Sequence, residues 1–177
     1  MSPRLELSLQ TATRNLSVPG AAAFRRWARA AVVRPARVTV RVVNAAEGRK
    51  LNHDFRQRDY ATNVLTFVYG RERGVLSGDL VLCAPVVGRE AREQGKAVDA
   101  HYAHMVVHGM LHLQGYDHIE DGEAERMENR ERRILKSLGY PDPYATPQST
   151  AAPAAGPRSS KRARQAAAHR ITKKKPS

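Results

Sequence analysis

Three histidines in the stretch "HGMLHLQGYDH", residues 108–118, constrain how this chain can fold. His108 and His112 are four residues apart, and residues at that spacing lie on one face of an α-helix with Cβ atoms about 5–6 Å apart. Gly115 can adopt the left-handed conformation that ends a helix. The chain can then turn back and bring His118 to the same point. The pattern therefore predicts a helix that ends near Gly115 and carries a metal site at that end.

The chemistry of this predicted site follows from its donor set. Three neutral imidazoles that leave one coordination position open are typical of a catalytic zinc site rather than a structural one. We expect one Zn²⁺ per chain, bound by His108, His112 and His118. Zinc proteases with this spacing carry a glutamate directly after the first histidine, and here that position is Gly109. His104 lies one turn earlier on nearly the same face, and we expect it to line the pocket or to hydrogen-bond a group behind the ligands.

Cysteine content and hydropathy indicate the compartment. Cys83 is the only cysteine, which excludes an internal disulfide and favours a reducing environment. Its apolar neighbours predict a buried structural thiol rather than a metal ligand. No run of about 18 apolar residues is present, so we expect no membrane span. The sequence therefore predicts a cytoplasmic protein.

Positive charge is concentrated towards the C-terminus. The formal net charge is +13, and eight of the 30 lysines and arginines lie between Thr146 and Ser177, where no acidic residue occurs. Small residues, proline and serine dominate this segment, which cannot bury enough apolar surface to fold alone. We expect a folded domain at residues 1–144 and a disordered basic tail at 145–177. The charge favours nucleic acid as a partner, and the tail is either a solubilising extension or an RNA contact.

Hydrophobic periodicity divides the domain into alternating strands and helices. Four strands are predicted at 5–9, 37–43, 63–69 and 78–84. Five helices are predicted at 19–32, 44–55, 85–95, 99–115 and 121–138, with Asn44 and Asp99 as N-caps. The predicted fold is α+β, with a small, largely sequential mixed sheet of about four strands covered by about five helices, and with the zinc site at the end of a central helix.

Several segments resemble one known family. The stretch "HGMLHLQGYDH" resembles the signature of the YbeY family, bacterial zinc-dependent endoribonucleases that mature ribosomal RNA. The segments "LNHDFRQRDYATNVLTF" (51–67), "GDLVLC" (78–83) and "LGYPDPY" (138–144) resemble others of its motifs. The resemblance covers the chain to about residue 144.

The resemblance implies specific roles for residues of this chain. The family's zinc ligands fall on the three histidines of the stretch 108–118, and its functionally important arginine falls on Arg56. Asn63 stands where the family usually has aspartate, and Thr66 where it has serine. The implied activity is metal-dependent cleavage of single-stranded RNA in ribosomal RNA processing, including maturation of the 16S rRNA 3′ end, and in ribosome quality control. The implied partners are single-stranded rRNA, ribosomal particles and ribosomal or assembly proteins.

The absence of a glutamate at position 109 separates the possible reactions. Gly109 cannot take a proton from water, which disfavours peptide hydrolysis by the usual route. Phosphodiester cleavage chiefly requires positioned cations, and Arg56 is expected to contact the phosphate in two places. The alternative for Arg56 is a structural ion pair with a carboxylate. Asp117 either orients a ligand histidine or relays a proton, or it is a turn residue. The alternatives are a non-catalytic ribosome assembly factor with structural zinc and a zinc-dependent protease.

Overall fold

The order of helices and strands follows the predicted alternation closely. The computed structural model describes residues 2–15, 17–117 and 119–146, together with the backbone of 170–172. Within these residues the helices are α1 (Ala21–Ala31), α2 (Ala45–Arg56), α3 (Ala84–Glu93), α4 (Val98–Leu113) and α5 (Asp121–Ser137). The strands are β1 (Leu5–Ala12), β2 (Ala36–Val43), β3 (Val64–Glu72), β4 (Val75–Cys83) and β5 (Arg170–Thr172). The predicted α+β class, with a mixed sheet and five helices, is confirmed.

The strands form one sheet in the order β1-β2-β4-β3-β5. β1, β2 and β4 are mutually parallel, whereas β3 runs antiparallel to β4. The sheet is thus less sequential than expected, because β4 and not β3 lies beside β2. β4 pairs with β2 on one side and, through a tight hairpin, with β3 on the other. The two linking residues of the hairpin, Arg73 and Gly74, have φ of 49° and 81°. Positive φ at both positions is typical of the two-residue turn that matches the twist of paired strands.

The outer edge of β3 pairs with a short segment of the basic tail. Arg170–Thr172 forms β5 and runs parallel to β3, with Arg170 opposite Thr66. An edge strand presents unpaired N–H and C=O groups that a further strand can use. Three residues of the segment expected to be disordered are therefore in a strand. The rest of that tail, 147–169 and 173–177, lies outside the described residues.

Both faces of the sheet are covered where β3 and β4 lie side by side. Val64, Leu80 and Leu82 belong to the larger core, which also contains residues of α1 and α4. Leu65 and Phe67 project to the opposite face, where Leu51 and Phe55 of α2 pack against them. Alternate residues of a strand point to opposite faces, so strands covered on both sides are apolar in both registers. This explains the nearly continuous apolar stretches "VLTFV" and "LVLCA".

Helix α4 is central to the domain. It packs against α1, α3 and α5 and against strands β3 and β4. Twelve of its 16 residues are buried, so it has no broad polar face. Its N-cap is Ala97, so the prediction that Asp99 caps this helix is wrong. Asp99 lies in the first turn instead, where the positive end of the helix dipole stabilises a carboxylate. Asn44, by contrast, caps α2 as predicted by accepting a hydrogen bond from the Glu47 amide at 2.9 Å.

None of the described helices combines the length and apolar content needed to cross a lipid bilayer.

Candidate metal centre

Helix α4 ends two residues before Gly115, close to the predicted position. Gly115 has φ of 101°, in the left-handed region. Its amide donates to the carbonyl of His112 at 3.1 Å, and the Tyr116 amide donates to the carbonyl of Leu111, also at 3.1 Å. This pair of hydrogen bonds is the Schellman arrangement that terminates helices at a left-handed glycine. The chain consequently leaves the helix after Leu113, one residue beyond His112.

The structure brings two of the three predicted ligands together. The Nε2 atoms of His108 and His112 lie 3.1 Å apart. Two nitrogen ligands of a tetrahedral zinc ion, each at about 2.0–2.1 Å from it, lie about 3.3 Å from one another. The His112 side chain is fully buried, whereas that of His108 is 16% exposed. The third predicted ligand, His118, lies outside the described residues.

A buried glutamate of α5 that the sequence analysis missed lies behind this histidine pair. Glu131 is completely buried, and one of its carboxylate oxygens contacts Nδ1 of His108. The other oxygen accepts a hydrogen bond from the Tyr144 hydroxyl and lies 3.4 Å from Nε2 of His104. A signal was present, because Glu131 lies between Met127 and Leu135 at four-residue spacing on the buried face of α5.

The electrostatics of this cluster keep the Glu131 carboxyl ionised. Burial by itself raises the pKa of Glu131, but the charge of His108 and the hydrogen bonds from His104 and His108 outweigh it and hold the pKa well below its usual range. Burial lowers the pKa of His104 and, with the Glu131 carboxylate, raises that of the Tyr144 hydroxyl. The donor atoms of His104, His108 and Glu131 lie within 4.8 Å of one another, close enough to hold a metal ion. A carboxylate that accepts the N–H of the other ring nitrogen is also a usual partner behind a metal-bound histidine.

Gly109 faces the sheet and not the histidine cluster. A Cβ added there would lie 2.6 Å from Cδ2 of Leu80 and 3.5 Å from Cγ2 of Thr66. Neighbouring helix residues point about 100° apart, so a residue next to His108 is turned towards β3 and β4. A glutamate at this position would therefore require the buried Leu80 side chain or the helix to shift. The packing of α4 on the strands thus disfavours the protease base at this position.

Arg56 and Asp117 are the other predicted site residues. Arg56 is the last residue of α2, is half-buried, and has its pKa lowered by that burial. Among the residues that the structure describes, no carboxylate forms a salt bridge with Arg56, so the structural ion pair is not found there. Helix α2, which ends at Arg56, packs against the opposite face of the sheet from α4. Asp117 lies in the half-buried turn that follows Gly115.

Asn63 links the start of β3 to helices α3 and α4. Its Oδ1 accepts a hydrogen bond from the Val64 amide at 2.7 Å, and its Nδ2 donates to both carboxylate oxygens of Glu90 at 3.2 Å. Glu90 Oε2 also lies 2.7 Å from Nε2 of the buried His101. An amide can accept from one neighbour and donate to the other, which an ionised aspartate cannot do. Asn63 therefore donates to Glu90 while it accepts from Val64, and an ionised aspartate could make only the second of these hydrogen bonds.

Two further residues behave as core residues. Thr66 is fully buried, and its hydroxyl has no hydrogen-bond partner among the described residues. Cys83 is buried with its Sγ 3.7 Å from the carbonyl of Asn44, and burial raises the pKa of its thiol. A protonated buried thiol is a poor metal ligand. This agrees with the predicted structural role of Cys83.

Comparison with known proteins gives a consistent result. The model of the family described as Endoribonuclease YbeY matches residues 14–139. The protein called Endoribonuclease YbeY in Aromatoleum aromaticum is 58% identical over 147 residues, which cover 81% of this chain and 95% of the relative. The protein of the same name in Pseudomonas entomophila is 57% identical over 148 residues, covering 80% of this chain and 94% of the relative. The solution structure of TM1509 from Thermotoga maritima shares the fold, with a TM-score of 0.53 and 23% identity over 81% of this chain and 99% of that one.

Proposed function

The chain belongs to the YbeY family of endoribonucleases, and from this we propose that it is an endoribonuclease that hydrolyses phosphodiester bonds of RNA at the histidine cluster of α4. The observation that carries the proposal is the pair of Nε2 atoms 3.1 Å apart at the end of a buried helix, backed by the Glu131 carboxylate. Such a pair matches the spacing that one ion imposes on two imidazole ligands.

The metal that fits this donor set best is zinc. Imidazole nitrogens suit zinc better than magnesium or calcium, which prefer oxygen. We propose that His108, His112 and His118 hold one Zn²⁺ per chain, with Glu131 accepting the Nδ1 proton of His108. When bound, the ion lowers the pKa of a coordinated water to near 7 and polarises a phosphoryl oxygen.

Two residues outside the histidine cluster are proposed to bind the phosphate and to orient a metal ligand. The transition state gathers charge on the phosphoryl oxygens, so positioned cations are the main requirement. We propose that Arg56 contacts the phosphate through two N–H groups, an assignment supported by its lack of a carboxylate partner among the described residues. Asp117 is proposed to orient a ligand histidine from the turn after α4. Gly109 supplies no base, so peptide hydrolysis by the glutamate route is disfavoured.

We propose single-stranded ribosomal RNA as the substrate, with maturation of the 16S rRNA 3′ end and ribosome quality control as the processes served. Ribosomal particles and assembly proteins would then be partners in the cytoplasm. The net charge of +13 supports binding to phosphate groups. Tyr60 and Tyr69 are 50% and 41% exposed, and exposed rings can stack on unpaired bases. The basic segment 145–177 is proposed to add sequence-independent affinity to the domain at 1–144.

A cleavage assay with matched variants tests this function. Single-stranded and double-stranded rRNA fragments are incubated with wild type, His112→Ala and His53→Ala, the last being an exposed histidine of α2. Wild type and His53→Ala should cut the single-stranded RNA, lose activity on chelation, and regain it with Zn²⁺, while His112→Ala stays inactive. Equal cutting by His112→Ala would overturn the assignment. A wild type that binds zinc without cutting would favour the non-catalytic assembly factor.

A further inference from the structure

The segment after α5 is held firmly against the domain. The Tyr140 hydroxyl accepts a hydrogen bond from Nε1 of Trp27 at 3.0 Å. Three residues later, the carbonyl of Pro143 accepts one from Nζ of Lys96 at 2.6 Å. The second attachment is in a turn that the Ala145 amide closes by donating to the carbonyl of Asp142 at 3.2 Å, and Tyr144 is the next residue of that turn. The stretch "GYPDPY" is therefore anchored to α1 and to the loop before α4.

Tyr144 returns from this turn to the histidine cluster. Its hydroxyl donates to Oε2 of Glu131 and lies 3.3 Å from Nε2 of His104. Its ring packs edge-on against His104, with centroids 5.3 Å apart, and the guanidinium carbon of Arg132 lies 4.9 Å from the ring centroid. These two contacts, together with the hydrogen bond to Glu131, restrict the orientation of the Tyr144 side chain.

The Glu131 carboxylate is contacted by three donors from two parts of the chain, helix α4 and the segment after α5. Nδ1 of His108 lies against Oε1, while Nε2 of His104 and the Tyr144 hydroxyl lie against Oε2. A fully buried carboxylate is costly unless its lone pairs are satisfied. With Oε2 occupied by Tyr144 and His104, Oε1 remains directed at the His108 ring. That contact requires the His108 proton to lie on Nδ1, which leaves the lone pair of Nε2 facing His112.

We propose that Tyr144 is a positioning residue for the metal centre: acting through Glu131, it fixes His108 in the tautomer and orientation that present Nε2 beside His112. The inference rests on the proposed metal site. It gives the C-terminal "DPY" stretch a role in metal binding although it lies 36 residues beyond the ligand it acts on. Partners behind a metal-bound histidine typically contribute about 10–100-fold in metal affinity.

Zinc affinity of the full-length chain tests the proposal. The Zn²⁺ dissociation constant is measured by competition with a chromogenic chelator for wild type, Tyr144→Phe, Glu131→Gln and Tyr140→Phe. Tyr140→Phe is the matched control, because it removes a hydroxyl from the same segment that bonds to Trp27 instead of Glu131. Tyr144→Phe and Glu131→Gln should weaken zinc binding about 10-fold or more, and Tyr140→Phe should leave it within about twofold. Unchanged affinity in Tyr144→Phe, or an equal loss in Tyr140→Phe, would overturn the proposal.

A second measurement separates this inference from the metal assignment. Long-range proton–nitrogen NMR spectra of the metal-free protein report which imidazole nitrogen carries the proton. We expect the Nδ1–H tautomer at His108 in wild type and in Tyr140→Phe, and a mixture of tautomers in Tyr144→Phe. The Nε2–H tautomer in wild type would refute the positioning role. A wild type with the expected tautomer but no zinc affinity would instead refute the metal assignment and leave the Tyr144–Glu131–His108 orientation intact.

Discussion

Gly109 and Leu80 pack so closely that a Cβ atom at residue 109 would lie 2.6 Å from Cδ2 of Leu80. At this point α4 lies directly on the sheet, with no space between the helix backbone and Leu80 for a side chain. This contact also explains why the residue after the first histidine carries no side chain. The close approach of the helix and the missing protease base have the same physical cause.

Substitution of this glycine should destabilise the fold. Gly109→Ala forces overpacking against Leu80, which typically costs about 1–3 kcal/mol, while alanine returns about 1 kcal/mol of helix propensity. We expect a net loss of stability in urea denaturation. The control is Gly88→Ala in α3, where an added Cβ meets only Nη1 of Arg92 at 3.8 Å. That variant should be as stable as wild type or more so, and equal stability of the two variants would contradict the packing argument.

Gln114 should be among the most sensitive polar residues outside the metal centre. Its buried amide accepts from the Val33 amide at 2.7 Å and donates to the carbonyls of Ala31 and Met110, each at 2.9 Å. Gln114→Met keeps the size but removes three hydrogen bonds, two to the end of α1 and one to Met110 within α4. We expect a loss of about 2–4 kcal/mol in the free energy of unfolding.

The matching control for Gln114 lies on the surface. Gln10 of β1 is exposed, and its amide accepts from Arg41 at 3.1 Å. Gln10→Met should change stability by less than about 0.5 kcal/mol. If Gln114→Met changed stability as little as this control, the buried amide would not be joining the two helix ends.

Asn63→Asp should destabilise the protein in a pH-dependent manner. The substitution replaces a donor to Glu90 with a second carboxylate at about 3.2 Å, and two carboxylates this close raise the pKa of at least one of them in the folded state. A carboxyl whose folded pKa lies above its unfolded pKa costs stability at neutral pH, and the cost is recovered as pH falls through the raised value. We expect a deficit of about 1–3 kcal/mol at pH 7.5 that shrinks by pH 5.

The control for Asn63 is Asn129→Asp. Asn129 is exposed on α5 and its Oδ1 accepts from Arg132 at 3.0 Å, a contact that an aspartate keeps. This variant should stay within about 0.5 kcal/mol of wild type at both pH values. A pH-independent deficit in Asn63→Asp would show that the Glu90 contact does not dominate the environment of Asn63.

The basic tail should contribute to RNA affinity through charge alone. Deletion after residue 145 is compared with a full-length variant in which the eight lysines and arginines from Arg158 to Lys175 are glutamine. Both should weaken binding to single-stranded RNA and flatten its salt dependence, because each lost phosphate contact removes about 0.7 from the slope of log affinity against log salt. An unchanged slope in both variants would indicate an inert extension.

The part of the site that could be predicted from sequence is the part encoded locally. The spacing of His108 and His112 and the left-handed Gly115 depend only on helix geometry, so their arrangement follows from eight consecutive residues. Glu131 and Tyr144 could not be placed in this way. They are 23 and 36 residues from His108, and their contacts depend on how α5 and the following turn pack against α4. A glutamate on the buried face of α5 was the only local sign.

The same distinction applies to the fold. Strand and helix positions follow from hydrophobic periodicity, and Asn44 caps α2 as its side chain predicts. The order of strands depends on the β3–β4 hairpin and on parallel pairing between β2 and β4, which link residues far apart in the chain. Periodicity carries no information about which strand lies beside which. The expected sequential sheet is accordingly replaced by one with β4 between β2 and β3.

Anomalous diffraction at the zinc absorption edge, from crystals of the full-length protein grown with Zn²⁺, tests the metal centre most directly. We expect one peak per chain, about 2.0–2.1 Å from Nε2 of His108, from Nε2 of His112 and from the ring of His118. The fourth position should be filled by solvent. A peak held by His104, Glu131 and Nδ1 of His108, or by four protein side chains, would contradict the account.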